Sequence, residues 1–183
     1  MKSITLIGYM CVGKTTIGRG LARALGLRFY DLDWYIEERF RTPVSRIFAE
    51  RGEGAFRDLE RRMLHEAAAF EDVVLSCGGG TPCFGDNMDF IKENSLSIYL
   101  CATPDVIEEH LKMSRTERPL LKGLSGAELR LHVEKQLAER EPHYLRADIV
   151  QPINVLGTPE KVDGVVGQLI TRINDYRNGK VED

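Results

Sequence analysis

The 183-residue sequence lacks any long hydrophobic run. No apolar segment approaches the ~18 residues that a membrane-spanning helix needs. The apolar run at residues 3–7 is too short for a signal peptide and is followed at once by glycine and polar residues. We therefore expect a cytoplasmic protein with no membrane partner.

Cysteine is also scarce, and its spacing argues against several kinds of site. The four cysteines are Cys11, Cys77, Cys83 and Cys101. Their positions have neither zinc-ribbon nor C-x-x-C spacing. Because no export signal is recognisable, we expect reduced thiols, and a disulfide between Cys77 and Cys83 is the alternative.

Positive charge is not in excess, and histidine is as scarce as cysteine. Lys and Arg number 25 against 28 Asp and Glu, so the net charge is −3 and there is no overall basic field. We therefore expect no nucleic-acid partner. The motifs H-E-x-x-H and G-x-S-x-G are absent, which argues against a zinc protease and a serine hydrolase. We interpret the histidines as surface or packing residues; they are His65, His110, His132 and His143.

The rest of the composition is that of a globular protein, with 43% hydrophobic and 29% charged residues. The length suits one domain, and no repeat or linker divides the chain. We expect one monomeric domain over residues 1–183. Short β-branched runs alternate with amphipathic stretches, which predicts a three-layer α/β/α fold around a parallel sheet.

The predicted strands are residues 3–7, 28–30, 73–76, 97–101 and 148–150. The clearest predicted helices are residues 14–25, residues 104–113 and one that begins at Pro159. Between the second and third strands, helical patterns at 33–39, 44–51 and 54–70 form an insertion of the kind that builds a substrate site.

Residues 8–15, GYMCVGKT, match the phosphate-binding pattern G-x-x-x-x-G-K-[ST]. The segment follows an apolar strand and opens a helix, so its backbone N–H groups can surround polyphosphate oxygens. Lys14 would reach the β- and γ-phosphates, Thr15 would bind Mg²⁺, and Thr16 would meet the α-phosphate. The candidate phosphate-binding residues are Gly8, Cys11, Val12, Gly13, Lys14, Thr15 and Thr16.

The sequence also indicates which nucleotide is bound. A guanine-specific N-K-x-D motif is absent, so ATP with Mg²⁺ is the expected ligand pair. Candidates for contacting adenine are the loop from Asn154 to Pro159 and the cationic residues Lys112 and Arg115.

Two carboxylates, Asp31 and Asp33, follow the second strand, where open α/β sheets bind ligands. Strand alternation predicts that both point into the cleft. One would hold Mg²⁺, for which we choose Asp31, and the other would accept a proton from an acceptor hydroxyl. Acids in this position are also common helix caps, which is the alternative.

Arg57 lies near the start of a predicted helix, where a cation opposes the helix dipole and suggests an anionic partner. Glu60 is close enough along the helix to orient it, and an ordinary surface ion pair is the alternative. Three consecutive glycines, residues 78–80, follow the third strand and favour close approach of a ligand to the backbone.

Taken in order, these motifs resemble the shikimate kinase family over nearly the whole chain. They are residues 8–15, Asp31-x-Asp33, Gly52-Glu53-x-x-Phe56-Arg57, Gly78-Gly79-Gly80, Arg118-Pro119-Leu120-Leu121 and Arg140-x-Pro142-x-Tyr144-x-x-Ala147-Asp148. The resemblance implies a P-loop kinase fold of the nucleoside-monophosphate-kinase type, with a five-stranded parallel sheet. It also implies a shikimate-binding insertion at 33–61, a lid at 113–126 and ATP-dependent phosphorylation of the 3-hydroxyl of shikimate.

The resemblance further implies roles for single residues. Asp33 holds the reacting hydroxyl, Arg57 and Arg140 hold the shikimate carboxylate, and the glycines contact the acceptor: Gly78, Gly79 and Gly80. Arg118 of the lid and Lys14 would stabilise the transferring phosphate.

The sequence departs from the family pattern in two places. Cys11 occupies a position in the phosphate loop that is usually glycine, and we interpret it as a tolerated small residue. The lid does not align without a gap ahead of Arg118, which leaves Lys112 and Arg115 as alternatives for stacking on adenine. Two other functions stay open on the sequence: a gluconate kinase of the same fold, and a regulatory nucleotide-binding module with no small acceptor.

Overall fold

The structure is a computed structural model of the chain, and it describes residues 3–114, 124 and 126–179. Five parallel strands form one sheet in the order β2-β3-β1-β4-β5. The strands are β1 (Ile4–Ile7), β2 (Arg28–Asp31), β3 (Val73–Ser76), β4 (Leu96–Cys101) and β5 (Ile149–Pro152). All five predicted strands are confirmed, with ends within about two residues of the expected ones, the usual uncertainty of strand and helix limits.

Helices cover both faces of this sheet, so the predicted three-layer architecture is confirmed. The helices are α1 (Lys14–Leu25), α2 (Leu32–Phe40), α3 (Val44–Ala67), α4 (Asn87–Asn94), α5 (Pro104–Met113), α6 (Gly126–Tyr144) and α7 (Pro159–Arg177). A short 3₁₀ turn, Thr81–Cys83, follows the three glycines. Among the described helices, none is both long enough and apolar enough to cross a membrane.

The central strand shows why the sheet forms. All four residues of β1 are buried, as expected for a strand with helices on both faces and neighbours on both edges. Leu6 of β1 pairs with Ser76 of β3 and with Ile98 of β4. The three strands therefore end at one edge of the sheet, and the chain reverses its winding direction there. This is where open α/β sheets bind ligands.

Local sequence signals set several helix ends. Helix α1 stops at Gly26, which is left-handed at φ 68°, and its backbone caps the last turn. Helix α5 begins after Thr103, whose Oγ1 accepts a hydrogen bond from Val106 N at 3.4 Å, and Pro104 occupies the first turn. Both ends agree with the limits predicted from the sequence.

The insertion between β2 and β3 consists of α2 and α3, which pack against each other. The two predicted helices at 44–51 and 54–70 run on as α3, with a non-helical residue at Gly52 (φ 76°, ψ 172°). A positive φ with extended ψ is a conformation that glycine adopts readily. The break redirects the chain so that Phe56 and Leu59, beyond it, are buried in the core.

Candidate active site

A cavity of about 480 Å³ opens at the carboxyl ends of β1, β2 and β3. Its walls come from the phosphate loop, from the ends of β2 and β3, and from α5 and the loop after β5. The lining residues are Met10, Cys11, Gly13, Lys14, Thr15, Thr16, Asp31, Asp33, Trp34, Ser76, Cys77, Gly78, Gly79, His110, Met113, Ser114 and Leu156. Most residues predicted for phosphate and metal binding therefore share one cavity.

The phosphate loop has the backbone shape that its glycines permit. Gly8 and Gly13 have φ of 140° and 95°, and a Cβ on Gly8 would lie 2.6 Å from the Leu100 carbonyl oxygen. Cys11 is also left-handed, at φ 62°. Val12 is buried in the core and does not line the cavity, so its predicted contact with nucleotide is limited to its backbone.

The αL conformation of Cys11 leads to a stability prediction. A side chain in this region costs about 1–2 kcal/mol, and a β-branched residue costs more. Cys11→Gly should keep the free energy of unfolding within about 1 kcal/mol of wild type, whereas Cys11→Val should lower it by at least that much. Urea unfolding of the two variants measures this difference. Equal stability of the glycine and valine variants would contradict a left-handed Cys11.

Lys14 extends along the loop, and its Nζ donates to the carbonyl oxygens of Gly8 and Tyr9 at 2.8 Å each. Burial lowers the pKa of Lys14 to about 8, although the carboxylates of Asp31 and Asp33 act in the opposite direction. Burial disfavours the charged form of this amine, and an anionic group bound beside Nζ would stabilise the ammonium again. This geometry suits a phosphate-binding lysine.

Thr15 and Asp31 form a pair of oxygen ligands at the cavity wall, where Thr15 Oγ1 donates to Asp31 Oδ2 at 3.0 Å. Among the described residues, no group of three or more His, Cys, Asp or Glu forms a metal cluster. A hydroxyl and one carboxylate nevertheless fit Mg²⁺, which takes its other ligands from water and substrate phosphates.

Asp33 lines the cavity as predicted, but the reason given from strand alternation is wrong. Strand β2 ends at Asp31, and Asp33 lies in the first turn of α2. Asp31 Oδ1 caps this helix by accepting a hydrogen bond from Asp33 N at 3.2 Å. Asp31 is therefore a helix cap as well as a member of the cavity wall, so the two interpretations of this residue are compatible.

The surroundings of Asp33 raise its pKa to about 6. Burial is the largest cause, the negative charges of Asp31 and Glu60 act in the same direction, and Lys14 partly opposes them. A carboxylate with a pKa near the working pH is suited to accept a proton from a substrate hydroxyl.

The three glycines are required by space and not by a positive φ. A Cβ on Gly78 would lie 3.0 Å from Glu60 Oε1 and 3.2 Å from Asp33 Oδ1. A Cβ on Gly80 would lie 2.5 Å from Arg57 Nη2. Charged side chains of the candidate site thus pack directly over this backbone, whereas the approach of a ligand that the glycine run indicated stays a prediction.

Arg57 is held by carboxylates and aromatic rings. Its Nη1 donates to Glu60 Oε2 at 2.9 Å, its Nη2 donates to Glu53 Oε1 at 3.2 Å, and its guanidinium lies 4.2 Å from the centre of the Phe84 ring. Only 13% of the Arg57 side chain and 1% of Glu60 is exposed, so this is not an ordinary surface ion pair. Glu60 also accepts a 2.6 Å hydrogen bond from Thr81 Oγ1.

The ion pairs of Arg57 with Glu60 and Glu53 leave one guanidinium nitrogen available to donate a hydrogen bond to a ligand. Within the residues that the structure describes, Arg57 Nε is buried and has no hydrogen-bond partner. A buried donor without a partner is costly, and an acceptor atom of a bound ligand would satisfy it.

Arg140 approaches the same glycines from α6. Its guanidinium lies 5.6 Å from the centre of the Tyr9 ring, and a Cβ on Gly79 would be 3.6 Å from its Nη1. Tyr144, one helical turn later, donates from its hydroxyl to the Gly79 carbonyl oxygen. Arg57, Gly80 and Arg140 do not line the cavity, but they adjoin it directly beyond Gly79.

The residues predicted to contact adenine are placed less favourably for that role than the phosphate-loop residues are for binding phosphate. Asn154 and Pro159 are exposed and outside the cavity, and Leu156 from the same loop forms the wall instead. Lys112 is exposed and donates to Glu109 Oε1 at 2.6 Å, away from the cavity lining. Arg115 and Arg118 lie outside the described residues, as does most of the predicted lid at 113–126.

The cysteines are in the reduced state expected from the sequence, whereas one histidine does not have the surface or packing role expected for it. All four cysteines are free, so the alternative disulfide between Cys77 and Cys83 does not form. His110 is more than a surface or packing residue, because its ring contacts the backbone of Cys11 and of Leu156. Its position in the helix that follows β4, beside the sheet edge that binds ligands, was the available signal.

A parallel sheet with a phosphate loop after its central strand, and an acidic and cationic cluster beside it, defines a small-molecule kinase of the P-loop type. The model of the shikimate kinase family matches residues 10–173. The chain therefore belongs to the shikimate kinase family.

Named relatives and solved structures agree with this assignment. A shikimate kinase from Parabacteroides distasonis is 46% identical over 170 residues, which cover 93% of this chain and 98% of the relative. The crystal structure of shikimate kinase from Bacteroides thetaiotaomicron is 43% identical with a TM-score of 0.92, covering 94% of this chain and 98% of the other. A shikimate kinase from Acinetobacter baumannii, solved in complex with shikimate, is 28% identical with a TM-score of 0.82, covering 96% and 94%.

Proposed function

We propose that this protein transfers the γ-phosphate of ATP to the 3-hydroxyl of shikimate, giving shikimate 3-phosphate for chorismate and aromatic amino acid biosynthesis. One observation carries the proposal at the level of residues. The phosphate loop and the Asp33 carboxylate share a cavity, and Gly78, Glu60 and Arg57 continue from Asp33 in direct contact. A phosphate donor and a hydroxylated carboxylate would therefore meet at Asp33.

On the donor side, the loop backbone, Lys14, Thr15 and Thr16 bind the phosphates of ATP. Thr15 and Asp31 would hold Mg²⁺, which supplies positive charge to the phosphate oxygens when it is bound. Phosphoryl transfer needs alignment and charge neutralisation more than covalent help, and a buried lysine beside oxygen ligands provides both.

On the acceptor side, Asp33 orients the 3-hydroxyl and accepts its proton. Arg57 and Arg140 bind the carboxylate, since both guanidinium groups lie over the glycine backbone next to the cavity. The acceptor would contact the backbone of Gly78, Gly79 and Gly80 beside these side chains. Bidentate capture of a carboxylate by arginine also fixes the orientation of the ring that carries it.

The chain is proposed to work as one domain, with residues 33–61 as the acceptor-binding insertion and residues 113–126 as the lid that brings Arg118 to the transferring phosphate. Met113 and Ser114, at the start of this lid, line the cavity. We also propose a cytoplasmic monomer, and the four free cysteines support a reducing compartment.

A coupled assay of ADP release with ATP and Mg²⁺ tests the function, with shikimate, quinate and gluconate as acceptors. Release stimulated by shikimate alone is the expected result. Stimulation by gluconate would favour a gluconate kinase and would contradict Arg57 and Arg140 as shikimate-specific contacts. ADP release that no acceptor stimulates would favour the regulatory nucleotide-binding module.

Arg57→Ala should raise KM for shikimate about 10- to 100-fold, because a charge-assisted hydrogen bond contributes roughly 1.5–3 kcal/mol. KM for ATP should change little. Arg57→Lys, which keeps the charge but not the planar fork, should recover only part of the affinity. Arg61→Ala is the matched control, since Arg61 lies one turn later and pairs with the exposed Asp86. An unchanged shikimate KM in folded Arg57→Ala would contradict the carboxylate assignment.

A further inference from the structure

His110 lies in the last turn of α5 and is only 8% exposed. Its ring reaches across the cavity wall and contacts two backbone groups that belong to different segments. The Nδ1 atom is 2.8 Å from the Cys11 carbonyl oxygen, and Nε2 accepts a hydrogen bond from Leu156 N at 2.8 Å. Cys11 belongs to the phosphate loop, and Leu156 belongs to the loop after β5.

These partners determine the state of the ring. A carbonyl oxygen only accepts hydrogen bonds, so His110 Nδ1 must carry a proton. A backbone N–H only donates, so Nε2 must be unprotonated. The neutral ring with its proton on Nδ1 therefore satisfies both contacts, and no other protonation state does so.

Both partners shape the part of the cavity that faces the phosphates. Cys11 is a non-glycine residue in the left-handed conformation, and the hydrogen bond from His110 holds its carbonyl group in that orientation. Leu156 covers the loop from the other side, since a Cβ on Gly13 would lie 2.5 Å from Leu156 Cδ1. His110 thus joins the two segments that enclose the loop just before Lys14.

We infer that His110 is a positioning residue that fixes the phosphate loop against the loop after β5 and thereby sets the affinity for nucleotide. The inference rests on the proposed function in taking the nucleotide to be ATP. A loop whose N–H groups are held in place loses less conformational freedom on binding phosphate. A left-handed cysteine cannot hold this shape as easily as glycine does, so an external hydrogen bond matters more in this chain.

Two conservative variants separate the two hydrogen bonds. The side-chain amide of asparagine can replace the Nδ1 donor towards Cys11 but does not reach Leu156. The longer glutamine can place its carbonyl oxygen near the Nε2 position and accept from Leu156 N. His110→Ala removes both bonds. His132→Asn is the matched control, because His132 is half-buried on α6 and does not line the cavity.

Calorimetric titration with ADP and Mg²⁺ measures nucleotide affinity without turnover, and kinetics measure KM for ATP and for shikimate. We expect His110→Ala to weaken ADP binding about tenfold and to raise KM for ATP by a similar factor, with KM for shikimate within about twofold of wild type. His110→Asn or His110→Gln should recover part of the ADP affinity. The control should bind ADP as wild type does.

Two outcomes would overturn the inference. One is wild-type ADP affinity in a folded His110→Ala variant. The other is that all three variants show similar rises in KM for ATP and in KM for shikimate together with a lowered melting temperature, since that pattern is expected of a packing residue. If the wild-type protein showed no shikimate-stimulated ADP release, the proposed function would fail, but the ADP titrations would still decide the role of His110.

Discussion

Lys14→Ala should lower kcat by about 10³-fold or more, because it removes the cation that the phosphate loop directs at the phosphates. Lys14→Met, which keeps most of the length but not the charge, should be equally inactive. Single-turnover kinetics at saturating ATP measure the loss without interference from product release. Lys135→Ala is the control, since Lys135 is exposed on α6 and does not line the cavity.

The same lysine variants should stay folded. The pKa of Lys14 is lowered to about 8 in the folded protein, so its positive charge is disfavoured by folding. That charge reduces stability at pH values below the folded pKa, and the reduction disappears as the pH rises above the pKa of the unfolded chain. At pH 7 the melting temperature of Lys14→Met should therefore equal or exceed that of wild type. A variant that is inactive because it is unfolded would contradict this explanation.

Asp33→Asn should lower kcat about 10²- to 10⁴-fold, the range expected when a group that accepts a proton is removed. ATP affinity should change far less, because Lys14, Thr15 and the loop backbone are untouched. Trp34, the only tryptophan in the sequence, lines the cavity beside Asp33, so its fluorescence can report nucleotide binding in the inactive variant. Asp58→Asn, an exposed carboxylate on α3, is the matched control.

The pH dependence follows from the raised pKa of Asp33, about 6. In wild type, kcat/KM for shikimate should fall as the pH drops through this value, because the carboxyl group becomes protonated and cannot accept a proton.

The ionised carboxylate of Asp33 also lowers the stability of the folded protein. Because its folded pKa is raised above the unfolded value of 3.8, the stability associated with protonation is present below pH 4 and lost as the pH rises through 6.

Asp33→Asn should therefore be more stable than wild type at pH 7 by on the order of 3 kcal/mol, from about 1.4 kcal/mol for each unit of the shift in pKa from 3.8 to about 6. For a chain of this size the melting temperature should rise by several degrees. The gain should vanish near pH 4, where both proteins carry an uncharged group at this position. If the difference in stability between Asp33→Asn and wild type were smaller at pH 7 than at pH 4, this electrostatic account would be refuted.

The local sequence was sufficient for the elements and for half of the site. A buried β1 followed by glycine, lysine and threonine predicts a strand, a phosphate loop and α1, because backbone propensity and loop geometry act over a few residues. The start of α5 at Thr103 and Pro104 and the end of α1 at Gly26 were predicted for the same reason. All five strands were found in this way.

The residues alone indicated an anion partner for Arg57, but the shared role of Arg57 and Arg140 could be predicted only from the resemblance to a family. Arg57 and Arg140 are 83 positions apart in the sequence, and nothing in their neighbourhoods indicates that both lie over the same three glycines. Asp33 was placed in the cleft by an argument about strands, although it lies in a helix. Strand and helix periodicities differ, so a correct location can follow from a wrong local geometry.

Neighbouring residues along the chain specify the parallel sheet and the phosphate loop, and they supply the candidate residues for phosphoryl transfer on the donor side. Tertiary packing alone decides that the Arg57–Glu60 pair is buried, that side chains fill the space over the glycine run, and that His110 joins Cys11 to Leu156. These contacts join residues from separate elements, or depend on how such elements pack. Packing distances are set by the whole core, and no short stretch of sequence records them.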